Sequence, residues 1–274
     1  MKIGFIDFYM SEWHANNYPA WIKAEAEKLG IDATVNYVWA EDEVSPRDNV
    51  TTDQWCEKFG TVKCSSIKEL CELSDFVFIL SPADPDKHLP YAKEAFKYSK
   101  RMYIDKTFAP NPADCEEIFR LAEENGVEFF STSALRYATE LDEYKGAKSL
   151  VTTGNGRMLS EYIIHQIEMI VKTLGTGAKS VVCEKQDDVS VLTIAYDDGR
   201  SAVMNFSGKL GFSVSSDGKK TDIKSPFFKS LISDILRFAN GGEKSFCGCE
   251  TKEAIKIRAA AVEAANAPGT VVSI

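Results

Sequence analysis

The sequence predicts an α/β fold: a parallel-sheet domain over residues 1–132, then an α+β domain over 133–274 whose sheet is open and mostly antiparallel. Three observations lead there. Short apolar runs alternate with helix-spaced segments as far as about Leu135, as in repeated β-α-β units. After that point one long helical stretch is followed by several short alternating runs. Asp197-Asp198-Gly199 sits between two of those runs as a hairpin turn.

The elements follow in order. Ile3 to Phe8 is short and apolar, like a parallel strand buried on both faces. Pro19 to Leu29 has helical spacing and stops at Gly30. Thr34 to Trp39 is a second strand, and Ser66-Ile67-Lys68-Glu69 reads as a capping box opening a helix through Leu73. Asp75 to Leu80 is a strand closed by Pro82. Pro90 to Tyr98 is helical, and Arg101 to Ile104 is a strand. Asn111-Pro112 caps and starts a helix through Asn125, which Gly126 ends, before a last strand from Val127 to Ser131. The right-handed crossovers of such units make this a Rossmann-type sheet. In the second half a helix covers Leu159 to Leu174. Strands cover Ser180 to Glu184, Val189 to Tyr196, Ala202 to Ser207, Phe212 to Ser215 and Thr221 to Lys224. Helices from Phe227 to Ala239 and Thr251 to Asn266 close the chain.

Composition narrows the function classes. With 274 residues and 44% hydrophobic content the chain is long enough for one large core or two ordinary ones. The net charge of −9 repels phosphate backbones and anionic lipid, so neither nucleic acid nor a membrane surface is an expected partner. The apolar runs, Phe76 to Leu80 among them, are strand-length and too short to span a bilayer. The start, Met1-Lys2-Ile3-Gly4, leads straight into a strand with no signal peptide, and the seven scattered cysteines read as reduced thiols. The expected location is the cytoplasm. Cys247-Gly248-Cys249 is the one close pair, read as ordinary loop cysteines in preference to a metal or redox site.

In a doubly wound sheet, ligands bind beyond the carboxyl ends of the strands. The residues there are Asp7, Phe8, Tyr9, Met10, Ser11 and Glu12 after the first strand, Ser81 and Pro82 after the next, and Asp105 and Lys106 after the one that follows. A dinucleotide turn uses glycines so that backbone amides reach the pyrophosphate. This chain has no G-x-G-x-x-G and puts Asp7 at the strand tip, so a Rossmann-like sheet that binds no nucleotide stays open as an alternative. Lys106 suits general acid–base work or orientation of a substrate hydroxyl, against the plainer reading of a solvated loop lysine. Glu161, His165 and Glu168 share one helix face and read as a proton-transfer cluster, a metal site or the wet side of the helix. No metal is expected there. His14 and His88 are read as structural.

Together these residues resemble the glucose-fructose oxidoreductase / inositol dehydrogenase / rhizopine catabolism (Gfo/Idh/MocA) family, along nearly the whole chain. Ser81-Pro82-Ala83-Asp84-Pro85-Asp86-Lys87-His88 is similar to the family's Thr-Pro-Asn-x-x-His turn, with residues inserted. Tyr103 to Ala109 resembles its Glu-Lys-Pro segment, with Lys106 at the family's lysine. Glu161 and His165 resemble its Asp-x-x-x-His motif. Tyr196 to Arg200 resembles a second-domain hairpin, and Phe227 to Val272 its closing helices and strand. The departures are the lost glycine fingerprint, Asp105 for glutamate, Thr107 for proline and Glu161 for aspartate.

The resemblance implies an NAD(P)-dependent oxidoreductase acting on a sugar, polyol or related derivative. Lys106 and His165 would move the hydroxyl proton across an interdomain cleft, with Glu161 tuning His165. It implies NAD or NADP as cofactor, bound near Asp7, Phe8, Tyr9, Met10, Ser11, Ser81, Pro82 and Lys106, with Glu41 favouring NAD. A homo-oligomer formed through the second-domain sheet is a further expectation. The competing reading is a cofactor-free small-molecule-binding relative that kept the fold and lost the phosphate turn.

Overall fold

A computed structural model describes residues 1–274, which form two compact units. One comprises Met1–Ser131 with Lys229–Ser245, the other Thr132–Phe228 with Phe246–Ile274. A single division after residue 132 does not describe this arrangement, because the chain comes back to the first unit late.

The first unit holds strands β1 (Lys2–Asp7), β2 (Thr34–Ala40), β3 (Val62–Lys63), β4 (Phe76–Ile79), β5 (Arg101–Ile104) and β6 (Glu128–Phe130). They form one sheet in the order β3-β2-β1-β4-β5-β6, with every pairing parallel. The order reverses between β1 and β4, the switch point at which such sheets present ligands. Helices α1 (Trp13–Leu29), α2 (Thr52–Phe59), α3 (Ile67–Leu73), α4 (His88–Ala95) and α5 (Pro112–Asn125) connect the strands.

Both sheet faces are covered. Phe5, Phe78, Tyr103 and Phe130 form an aromatic row against Tyr18 of α1 and Phe238, which arrives with the returning segment. On the other face Phe129 stacks with Phe96 and Phe108 and meets Phe119 of α5. Gly4 lies where a Cβ would come within 2.6 Å of Leu70 on α3, so its missing side chain lets that helix pack close.

Two helix starts differ from the sequence expectation. α1 begins at Trp13, six residues early, with Pro19 inside it. The cap supplied by Glu12 and the burial of Ala15, Tyr18 and Ile22 outweigh the hydrogen bond that proline forfeits. Ser66 does cap α3, but Glu69 reaches back to the amide and hydroxyl of Ser65, one residue short of a capping box. The reciprocal box occurs at Thr51 and Gln54, at the head of α2.

The second unit holds β7 (Ser149–Gly154), α6 (Leu159–Leu174), β8 (Ala178–Gln186), β9 (Val189–Tyr196), β10 (Ser201–Phe206), β11 (Ser213–Ser216) and β12 (Lys219–Asp222). After α7 (Phe227–Ala239), which belongs to the first unit from Lys229 on, the second unit resumes with α8 (Gly248–Asn266) and β13 (Val271–Ser273). Its sheet runs β12-β11-β7-β10-β9-β8-β13, antiparallel except where β7 and β10 run parallel. Arg200 ties the β9–β10 hairpin down: it pairs with Asp198, donates to the carbonyl of Thr176 and lies 4.5 Å over the Tyr196 ring. Cys247 and Cys249 are joined by a disulfide, unlike the loop thiols expected, while the other five cysteines are buried. No helix is long and apolar enough to cross a membrane.

Candidate functional site

The carboxyl ends of β1, β4 and β5 bring Asp7, Ser81 and Asp105 together at the switch point. Asp7 is 1% exposed. Its Oδ1 accepts from the amides of Phe8 (2.7 Å) and Ser81 (3.1 Å), while its buried Oδ2 has no hydrogen-bond partner. Burial, reinforced by the nearby Glu12 carboxyl, pushes the Asp7 pKa well above the usual carboxylate range.

Asp105 contrasts with it. Its Oδ2 contacts His14 Nδ1, and its Oδ1 accepts from the Lys106 amide (2.8 Å) and the Tyr103 hydroxyl (3.2 Å). Burial alone would raise the Asp105 pKa, but the His14 imidazole and then Lys106 hold it below the ordinary value. His14 stacks on Tyr18 at 5.0 Å. Lys106 itself is half-buried, and its Nζ donates to the carbonyl of Pro82 (3.0 Å). The lysine ammonium is thereby held over the tips of β4 and β5.

Glu12, which the sequence places beyond the first strand without a capping role, fills the head of α1. Its Oε2 accepts from the His14 amide (2.7 Å) and its Oε1 from the Ala15 amide. The residue is 5% exposed, and burial raises its pKa against the lowering influence of His14 and the two amides. The other first-turn residues are spread out. Met10 is buried. Ser11 donates to Asp48 (2.7 Å), and its carbonyl accepts from Ser45 (3.3 Å). Phe8 lies 5.0 Å below the Lys87 ammonium, and half-buried Tyr9 is near Arg47. At the tip of β2, Glu41 accepts from Lys87 (2.6 Å) and Tyr91 (2.5 Å), which lower its pKa in that order. His88 is buried, with its ring nitrogens on the carbonyls of Phe108 and Leu80, and burial lowers its pKa.

In the second unit, α6 carries Glu161, His165 and Glu168, in three different settings. Half-buried His165 has its Nδ1 2.6 Å from the hydroxyl of Ser133. Glu168 is buried and accepts from Thr132 (3.0 Å), the Ser133 amide (3.3 Å) and Arg136 (3.0 Å). Burial raises its pKa despite the Arg136 charge. Arg136 also pairs with Glu250 and lies 3.9 Å over the Phe246 ring. Glu161 pairs with Arg157 at 3.3 Å. Ser133 and Arg136 gave no signal in the sequence, because their partners lie 32 positions away. No group of three or more His, Cys, Asp or Glu side chains is placed to hold a metal ion.

These sites fall within recognisable surroundings. Residues 27–133 match the model of the GFO_IDH_MocA oxidoreductase family, described by its NAD-binding Rossmann fold. No curated protein matches in sequence. Among solved structures, a protein described as a probable dehydrogenase from Thermotoga maritima superposes with a TM-score of 0.76 at 15% identity, covering 100% of this chain and 98% of that one. An oxidoreductase from Agrobacterium radiobacter, in complex with NAD+, L-tartaric acid and magnesium, gives 0.74 at 16% identity, covering 99% and 98%. The WlbA dehydrogenase from Chromobacterium violaceum, in complex with NADH and UDP-GlcNAcA, gives 0.73 at 13% identity, covering 100% and 96%. By sequence over residues 27–133 and by fold over its whole length, the chain resembles the Gfo/Idh/MocA oxidoreductases.

Proposed function

We propose that this protein is an NAD(P)-linked oxidoreductase acting on a hydroxyl group of a sugar, polyol or related small molecule. The observation that carries the reading is Lys106, held by the Pro82 carbonyl at the carboxyl edge of a Rossmann sheet, beside the buried Asp105–His14 pair. A half-buried lysine there can give up a proton as the ammonium or, as the neutral amine, take the proton of a substrate hydroxyl, and Asp105 keeps a negative charge next to it. His165, fixed at Nδ1 by Ser133, is the second group assigned to the hydroxyl's proton. Glu161, one turn before His165 on α6, is assigned to tune that histidine. The half-exposed valines Val151, Val191 and Val203, on the sheet face of the second unit turned away from its buried side, suit contact with a second copy. Light scattering reads the oligomeric state directly. We place the protein in the cytoplasm.

The first turn, as it stands, does not fit a dinucleotide pyrophosphate. The amides at the head of α1 already serve Glu12, those at the strand tips serve Asp7, and Glu41 is engaged by Lys87 and Tyr91. This specific observation keeps a second reading alive: a cofactor-free relative that binds a small polar molecule at the same sheet edge.

The deciding experiment is calorimetric titration with NAD, NADH, NADP and NADPH, followed by a panel of sugars and polyols monitored by nicotinamide absorbance. Cofactor-dependent turnover that falls in Lys106→Ala supports the oxidoreductase. Polyol binding with no dinucleotide binding at millimolar concentration supports the second reading.

A further inference from the structure

The head of a helix is an anion seat, because its first amides lack partners within the helix and the macrodipole places partial positive charge there. In a Rossmann sheet the helix after β1 offers that seat to a diphosphate, and glycines let the ligand approach the backbone. Here the seat is already filled from within the chain. Glu12 lies one residue before α1, and its two carboxylate oxygens take the amides of His14 and Ala15. Its carboxyl group is buried, not waving in solvent.

The neighbouring donors are engaged in the same way. Asp7 takes the amides of Phe8 and Ser81. The loop after β2 closes on the turn through Ser45 on the Ser11 carbonyl and Asp48 on the Ser11 hydroxyl. A diphosphate approaching this turn finds four amides occupied by carboxyl oxygens, with the charge of Asp105 behind them.

We propose that Glu12 is an intramolecular stand-in for the diphosphate, so that a nucleotide's phosphates gain nothing at this turn until Glu12 is displaced. The inference rests on the reading that this sheet edge is a nucleotide seat. Its content is a division of the ligand: the nucleoside portion binds independently of Glu12, and the phosphate portion competes with it. A carboxylate so placed also stabilises the start of α1, ahead of Pro19.

The test compares adenosine, ADP and NAD by calorimetry on the wild type, Glu12→Ser and Glu12→Gln. Serine keeps a neutral cap on one amide while removing the carboxylate and its charge from the seat, and thermal melting checks that the variant folds. The expected result is that the wild type binds ADP and NAD no more tightly than adenosine. Glu12→Ser should gain at least about tenfold for ADP and NAD and nothing for adenosine, with Glu12→Gln between the two. Phosphate-bearing ligands that bind the wild type at least about tenfold more tightly than adenosine, unchanged in Glu12→Ser, would overturn the inference and leave the dinucleotide reading standing. Folded variants that bind none of the three ligands would end the dinucleotide reading, and the inference with it.

Discussion

The hydroxyl of Ser133 stands 2.6 Å from Nδ1 of His165, and the amide of the same serine donates to Glu168 one turn further along α6. One residue therefore links the half-buried histidine to a buried carboxyl–guanidinium pair. A histidine anchored at one nitrogen presents the other in a fixed direction, as a proton-transfer group requires.

His165→Ala and Lys106→Ala should each lower turnover by about 10²- to 10⁴-fold, the usual contribution of a general acid or base. Ser133→Ala should cost less and should move the histidine limb of the kcat–pH profile, because it changes only the anchor. Steady-state kinetics across pH reads both effects. Unchanged turnover in both Lys106→Ala and His165→Ala removes these residues from the chemistry.

Asp7 makes stability depend on pH. Its carboxyl is raised well above the unfolded value by burial, then by Glu12, so the neutral form belongs to the fold. Its stabilising contribution is complete at pH values below the unfolded pKa and is lost as pH climbs through the higher folded pKa. Asp7→Asn mimics the neutral form. It should raise Tm at pH 7 by about 2–4 °C for each kcal/mol recovered, and change little near pH 3. Thermal melts at the two pH values test this; an equal shift at both would contradict it.

Arg136 compensates two carboxylates, Glu168 and Glu250. Removing one partner of a buried pair costs about 3–5 kcal/mol. Arg136→Ala should therefore lower stability by that order, and Glu168→Gln in the same background should recover part of it. Denaturant titration of the single and double variants measures the coupling.

Gly4→Ala places a methyl 2.5 Å from Ser74 Oγ and 2.6 Å from Leu70. Overpacking of this kind costs about 1–3 kcal/mol. Equilibrium unfolding should show that loss, and Leu70→Ala in combination should relieve part of the clash while adding its own cavity.

The β-α alternation of the first half is legible because parallel strands buried on both faces are nearly all apolar, as in Phe76 to Leu80. β7 leaves no such trace. Its inward positions include Thr152, which donates to Gln166, and Gly154, where a Cβ would strike the same Gln166. A polar contact with α6 has replaced the apolar alternation that marks a strand. The pairing of His14 with Asp105 spans 91 residues, so no local pattern announces it. Glu12 was in plain view, but a glutamate before a helix is a weak capping signal beside serine or aspartate. Its role depends on a buried position that the fold alone supplies.

The late return of the chain bears on how the protein is made. Phe238 packs between Phe76 and Phe130, Ser233 donates to Glu25, and Arg101 reaches the carbonyls of Phe238 and Gly242. A nascent chain that has emerged only as far as Ser131 has all six strands of its first sheet but leaves Phe76 and Phe130 without the cover of Phe238. Completion waits until about a hundred more residues have left the ribosome, a span of roughly 5–20 seconds at ordinary synthesis rates. A fragment ended at Ser131 would lack the cover of Phe238 over Phe76 and Phe130 permanently.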